Sequence, residues 1–269
     1  MSTKIIALDA GHGMKTAGKR CLKSLDPNQT REWFLNDRIM DKVEALLAEY
    51  ECQTLRVDDT TGAKDIPLAT RVKMANNAKA DMYVSMHHNA GLNGRKGGGT
   101  VVFYCSSKVH RVVQAEALYQ EIVNLTKLVG NRSSKIAYEK FYVIKNTAMP
   151  ALLVENGFMD SPDDIPVILS ETHAVKTAQG VVNFLVKELK LTKKKASVSA
   201  PQYTTVAYYP AYTGKNVTLT AALTSLGITS TYAFRKKIAA ANNITGYVGT
   251  AAQNTQMYNL LKAGLLKKA

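Results

Sequence analysis

Short apolar runs, each too brief for a helix, recur through the first 191 residues and alternate with segments of helical period. The runs fall at residues 5–8, 55–57, 82–86, 100–104, 141–144 and 151–154. An unbroken apolar run of this length, without polar alternation, suits a strand buried on both faces. Between the runs, Leu35, Ile39, Val43, Leu46 and Leu47 return at helical spacing, as do Leu68, Val72 and Ala75. Helices are also expected near residues 113–128 and through Val175, Val182, Leu185 and Leu189. Strands and helices in strict alternation predict an α/β fold, a sheet sandwiched between helices.

Polar residues suited to metal chemistry stand at the ends of these runs. The first run leads into Asp9-Ala10-Gly11-His12-Gly13, which puts an imidazole at a strand's C-terminal end, where open α/β sheets gather their ligands. A histidine beside glycines is, taken alone, more often a turn residue. Glu32 opens the first long helix, and the helix dipole favours a carboxylate there whatever its function. The run at 82–86 ends in His87-His88-Asn89, and strand alternation turns the two imidazoles to opposite faces, so at most one joins a shared site. His110 and His173 lie in polar helical contexts and read as surface residues. Glu155 follows three aliphatic residues and precedes a glycine turn, an unusual place for a casual surface acid. Two histidines and a carboxylate are a common catalytic zinc set that leaves a position for water, and a further carboxylate outside it can act as the base.

Seven ordered blocks run through residues 1–191: Leu8-Asp9-Ala10-Gly11-His12-Gly13, Glu32-x-x-x-Asn36, Leu68-x-x-Arg71-x-x-x-Ala75-Asn76, Ala80-Asp81, Ser85-x-His87-x-Asn89-Ala90, residues 97–104, and Thr147-x-Met149-Pro150-Ala151-x-Leu153-Val154-Glu155-x-Gly157-Phe158. Together they resemble the zinc-dependent N-acetylmuramoyl-L-alanine amidases of bacterial cell-wall hydrolases and phage endolysins. The resemblance implies a single twisted, mostly parallel six-stranded sheet flanked by helices. It also implies Zn2+ held by His12, Glu32 and His87, with Glu155 as the catalytic glutamate, and hydrolysis of the amide between N-acetylmuramic acid and L-alanine. The sequence departs from the family pattern at His88, where a small residue is usual, and at Asn156, where an aliphatic one is usual. Both are expected at the rim of the cleft.

At 269 residues the chain has room for one domain of this kind and a small second one. Residues 192–202 read as a linker, and residues 203–269 as a small, mainly helical module. In the module, Leu219, Leu223 and Leu226, then Phe234 and Ile238, then Met257, Leu260 and Leu261 mark three short helices, and Thr250 with Gln253 has capping-box form. Pro210 argues against helix in the aromatic stretch before them. The module resembles the wall-binding domains found behind endolysin amidases.

Charge supports that second resemblance. The chain carries a net charge of +14, yet from residue 192 onward there are nine Lys, one Arg and no acid. Seven of the 13 tyrosines lie there too. Such a segment suits a polyanion, here an anionic wall polymer, or the glycan itself. A nucleic-acid role rests on charge alone, since no nucleic-acid motif is present. The three cysteines include no C-x-x-C pair, which favours folding in a reducing compartment. Neither a signal sequence nor a membrane-spanning run is evident, so a lysin held in the host bacterial cytoplasm until lysis is expected, with peptidoglycan as its partner. The competing readings are a zinc peptidase that cuts the stem peptide and a wall-binding protein with a silent catalytic domain.

Overall fold

The computed structural model describes residues 3–105, 109–131, 133, 135–194 and 207–269. They divide into two compact units, Met1–Lys195 and Ala196–Ala269. In the first, strand β1 (Lys4–Ala10) is followed by helix α1 (Glu32–Leu47), β2 (Cys52–Arg56), α2 (Leu68–Asn77), β3 (Met82–Asn89) and β4 (Thr100–Tyr104). Then come α3 (Val109–Thr126), β5 (Ile136–Tyr138), α4 (Tyr142–Asn146), β6 (Ala151–Phe158), α5 (Ile165–Ile168) and α6 (Glu171–Leu189). The six strands form one sheet in the order β2-β1-β3-β6-β4-β5, parallel throughout except where β4 meets β6.

Strand alternation sorts the core into two layers. Ile6, Leu8, Met82, Val84, Met86, Leu152 and Val154 face one side and pack with Ile39 and Val43 of α1, Leu118 and Ile122 of α3, and Val181 and Leu185 of α6. Ala7, Tyr83, Val101, Phe103 and Leu153 face the other, beneath Val72 and Ala75 of α2 and Val143 and Ile144 of α4. Helices α3 and α6 touch at Gly180, where a Cβ would stand 2.7 Å from the Ile122 Cα and 2.8 Å from the Glu121 carbonyl.

Two strand assignments change. Residues 141–144, expected as a strand, begin the short helix α4, and the edge strand is Ile136–Tyr138, which pairs with β4. A four-residue apolar run does not reveal its period, and here Val143 and Ile144 are both buried against the second layer. Strands β3 and β6 also run further than expected, so that His87 and Glu155 lie inside the ladder.

Thr192 and Lys194, expected in the linker, exchange backbone hydrogen bonds with Glu51 and Glu49 and so extend the first unit. The rest of that linker and residues 203–206 lie outside the described residues. In the second unit, α7 (Leu219–Ser225), α8 (Tyr232–Ala241) and α9 (Ala251–Lys262) enclose Tyr209, Leu223, Ile238, Tyr247, Met257 and Leu261. Thr218, Thr231 and Thr250 each cap a helix, the last in a complete capping box with Gln253.

Gly180→Val is expected to destabilise the first unit by about 1–3 kcal/mol, because both neighbours of the added carbons are backbone. Urea unfolding followed by the fluorescence of Trp33, the only tryptophan and part of the same core layer, measures it.

Candidate metal centre

The site begins where β1 ends. The Gly11 N–H donates to the Met86 carbonyl at 3.0 Å, tying the turn to β3. A Cβ on Gly11 would stand inside the His87 ring, so only glycine lets that imidazole lie over the backbone. His12 follows with φ of 68°, a left-handed conformation uncommon for residues with a side chain. Buried Arg71 holds it there: Nη1 donates to the Ala10 carbonyl at 2.8 Å and Nη2 to the His12 carbonyl at 3.1 Å. The same guanidinium pairs with buried Asp9, which also accepts from Tyr83 Oη at 2.8 Å and Ser85 Oγ at 2.7 Å.

Glu32 enters from helix α1, as its first residue, and is fully buried. The preceding loop is itself ordered. Arg20 bridges Arg31, Asp26 accepts from the Asn28 and Thr30 N–H groups, and Cys21 packs with Leu35, Met159 and Ile168. Glu32 Oε1 lies 3.3 Å from His12 Nε2 and 3.0 Å from His87 Nδ1, and accepts from the His88 N–H at 3.3 Å. Oε2 has no hydrogen-bond partner, although the Lys19 ammonium stands 3.7 Å away. Burial alone would raise this carboxyl, but the two imidazoles hold it well below the usual carboxylate range. Burial would likewise lower His87, and Glu32 reverses that, leaving its pKa raised.

His87 and Glu155 are register partners on adjacent parallel strands, so both side chains project from the same face. Desolvation pushes the Glu155 carboxyl up to about 8, against the lowering pull of His87. Its Oε2 is buried without a hydrogen-bond partner. A nearby cation would draw that carboxyl down again.

Three other expectations change. His88 and Asn156, expected at the cleft rim, are buried on the opposite sheet face. There the His88 ring meets Asn36, and Asn156 meets Met86. Even positions of β3 and β6 face the layer under α1 and α6, which explains the placement. His173, expected on the surface, is buried on α6 and meets Thr177; burial pushes its pKa down to about 4. The His110 side chain lies outside the described residues. Arg71 and Asn36 belong to recurring blocks but had no role in the sequence reading, and Lys19 carried no signal at all, being a loop residue brought near by tertiary structure.

One donor atom from each of His12, Glu32 and His87 lies within 4.8 Å of the others, the one such three-residue cluster among the described residues. Two nitrogens and a carboxylate oxygen, with one buried oxygen lacking a hydrogen bond, fit a zinc ion. The two imidazoles are partly exposed, so the centre opens to solvent on one side.

Residues 6–187 match the family described as N-acetylmuramoyl-L-alanine amidase. The chain is 31% identical over 202 residues to an endolysin of Bacillus phage SPP1, covering 74% of this chain and 71% of that protein. It is 30% identical over 196 residues to the N-acetylmuramoyl-L-alanine amidase CwlM of Bacillus licheniformis, covering 72% of each. Among solved structures, the catalytic domain of the amidase CwlV from Bacillus (Paenibacillus) polymyxa var. colistinus superposes with a TM-score of 0.62 at 26% identity, over 71% of this chain and all of that one.

Gly11→Ala is expected to displace the His87 ring and weaken divalent-cation binding about tenfold or more. Isothermal titration with zinc, beside an unchanged far-ultraviolet circular dichroism spectrum, would register it.

Proposed function

The chain belongs to the N-acetylmuramoyl-L-alanine amidase family, and on that premise we propose that His12, Glu32 and His87 hold a zinc ion while Glu155 moves the proton. It is a hydrolase of the peptidoglycan amide between N-acetylmuramic acid and L-alanine. The observation that carries the site reading is the convergence of three donor side chains from three segments beside Glu155 on the neighbouring strand, whose buried Oε2 lacks a hydrogen bond.

When bound, zinc polarises a carbonyl and brings the pKa of a coordinated water toward about 7. The chain's own residues do the rest. Glu32, kept ionised against its burial, and the two imidazoles supply the donors. Glu155 takes the proton of the attacking water as the oxygen bonds to the lactyl carbon. It then delivers that proton to the alanine nitrogen as the carbon–nitrogen bond breaks. One carboxylate serves both transfers because they are successive. The raised proton affinity of Glu155 suits a group that must hold a proton between them.

For the second unit we propose attachment to the wall, through anionic polymers or the glycan. From residue 192 onward the chain holds ten basic residues and no acid. Tyr232 is half exposed and stacks on Tyr247 at 5.8 Å, giving a flat aromatic face of the kind that sugar rings cover. Similarity to a phage endolysin supports a lytic role, with the protein held in the host cytoplasm until the membrane is breached. No helix among the described residues is long and apolar enough to cross a membrane.

Glu155→Ala is expected to keep its zinc while wall hydrolysis falls by roughly 10²–10⁴-fold. Metal analysis of the purified variant and turbidity of a wall suspension measure the two. Mass spectrometry of parental digests should find a freed L-Ala amino terminus; an internal stem-peptide cut would instead support the peptidase reading. The inactive full-length Glu155→Ala protein should release purified walls as salt rises. Retention indifferent to salt would point to glycan contacts.

A further inference from the structure

We propose that Asn36 and His88 form a buried positioning pair that sets the spacing of the three donor side chains. This rests on the zinc-site reading above. Asn36 lies one turn beyond Glu32 on α1 and is fully buried. Its Nδ2 donates to the Gly11 carbonyl at 3.2 Å, and its Oδ1 meets His88 Nδ1 at 2.8 Å. An amide oxygen only accepts, so this contact requires the proton on His88 Nδ1.

Gly11 immediately precedes His12, and His88 immediately follows His87. A single amide on the helix that supplies Glu32 therefore grips the backbone carbonyl beside His12 and the side-chain ring beside His87. His88 contributes a second time, because its own N–H donates to Glu32 Oε1 at 3.3 Å. The donors come from segments far apart in the chain, 55 residues separating Glu32 from His87. Something must hold the helix start against both strand ends, and Asn36 touches both without itself being one of the three donors.

Burial strengthens the link. Asn36 and His88 are screened from water, so no solvent competes for their hydrogen bonds. The pair also gives the imidazole at position 88 a buried partner. With a small side chain there, Asn36 Oδ1 would lose its present donor inside the core.

The test uses the full chain stripped of metal. Zinc affinity is measured by competition with a chromophoric chelator, and ligand geometry by the visible absorption of the cobalt(II)-loaded protein. His88→Leu, which keeps bulk and loses the donor, is expected to weaken zinc binding about 10–100-fold and to alter the cobalt spectrum. His88→Asn, whose amide can donate toward Asn36, should recover most of that affinity. Asn36→Ala combined with His88→Leu should weaken binding little beyond Asn36→Ala alone, since that change already removes the link to His88.

Parental affinity and spectrum in His88→Leu would overturn the proposal. So would equal losses in His88→Leu and His88→Asn, which would indicate packing, or full additivity in the double variant. If His88→Leu does not fold, Asn36→Ala against His88→Asn decides: an undiminished zinc affinity in Asn36→Ala overturns it. A parental protein that takes up no zinc would defeat the site reading itself, whereas a zinc-binding parent with unaffected variants defeats only this inference.

Discussion

A fully buried carboxylate at the end of a sheet is the feature on which the rest of the site depends. Glu32 must stay ionised to act as a ligand, and removing such a charge from water is costly unless it is compensated on several sides. Two imidazoles and the His88 N–H meet Oε1, Lys19 stands near Oε2, and the N-terminus of α1 places its dipole behind the carboxylate. Zinc would complete that compensation, which gives the centre a reason to bind a cation beyond the identity of its donors.

Behind the donors lies a second buried charge pair. Asp9 on β1 and Arg71 on α2 meet in the core; Tyr83 and Ser85 also donate to Asp9, while three backbone carbonyls and Asp65 accept from Arg71. Breaking one partner of such a pair leaves the other charge stranded. Its position suggests why the arrangement is retained: Arg71 grips the carbonyl of His12, whose left-handed backbone would otherwise relax. The proposed metal centre is thus braced twice, by Arg71 beneath the first histidine and by the Asn36 amide behind the turn and β3.

Much of this was legible in the residues. The apolar runs predicted the sheet, and alternation along β3 separated His87 from His88. Where the reading failed, the reason was local ambiguity. Residues 141–144 were too few to reveal their period, and α4 formed because both of its aliphatic residues could reach the second layer. His173 looked superficial among polar neighbours, yet His173, Thr177 and Val181 share a spacing of four, and that stripe faces inward. The signal was present but was outweighed by composition.

The sequence alone determined five of the six strands, the alternation of faces along them, and the four polar side chains that stand near three strand ends and one helix start. Those properties follow from the fixed periods of strands and helices, which act over a few residues. Only the tertiary structure decided that His88 would point inward to Asn36, that Lys19 would approach Glu32, and that His87 would be in register with Glu155. These depend on how the loop of residues 11–31 crosses the sheet end and on which strand lies beside which. Such contacts join residues far apart in the chain, where no local period operates, and they are settled by packing and by the need to pair every buried charge.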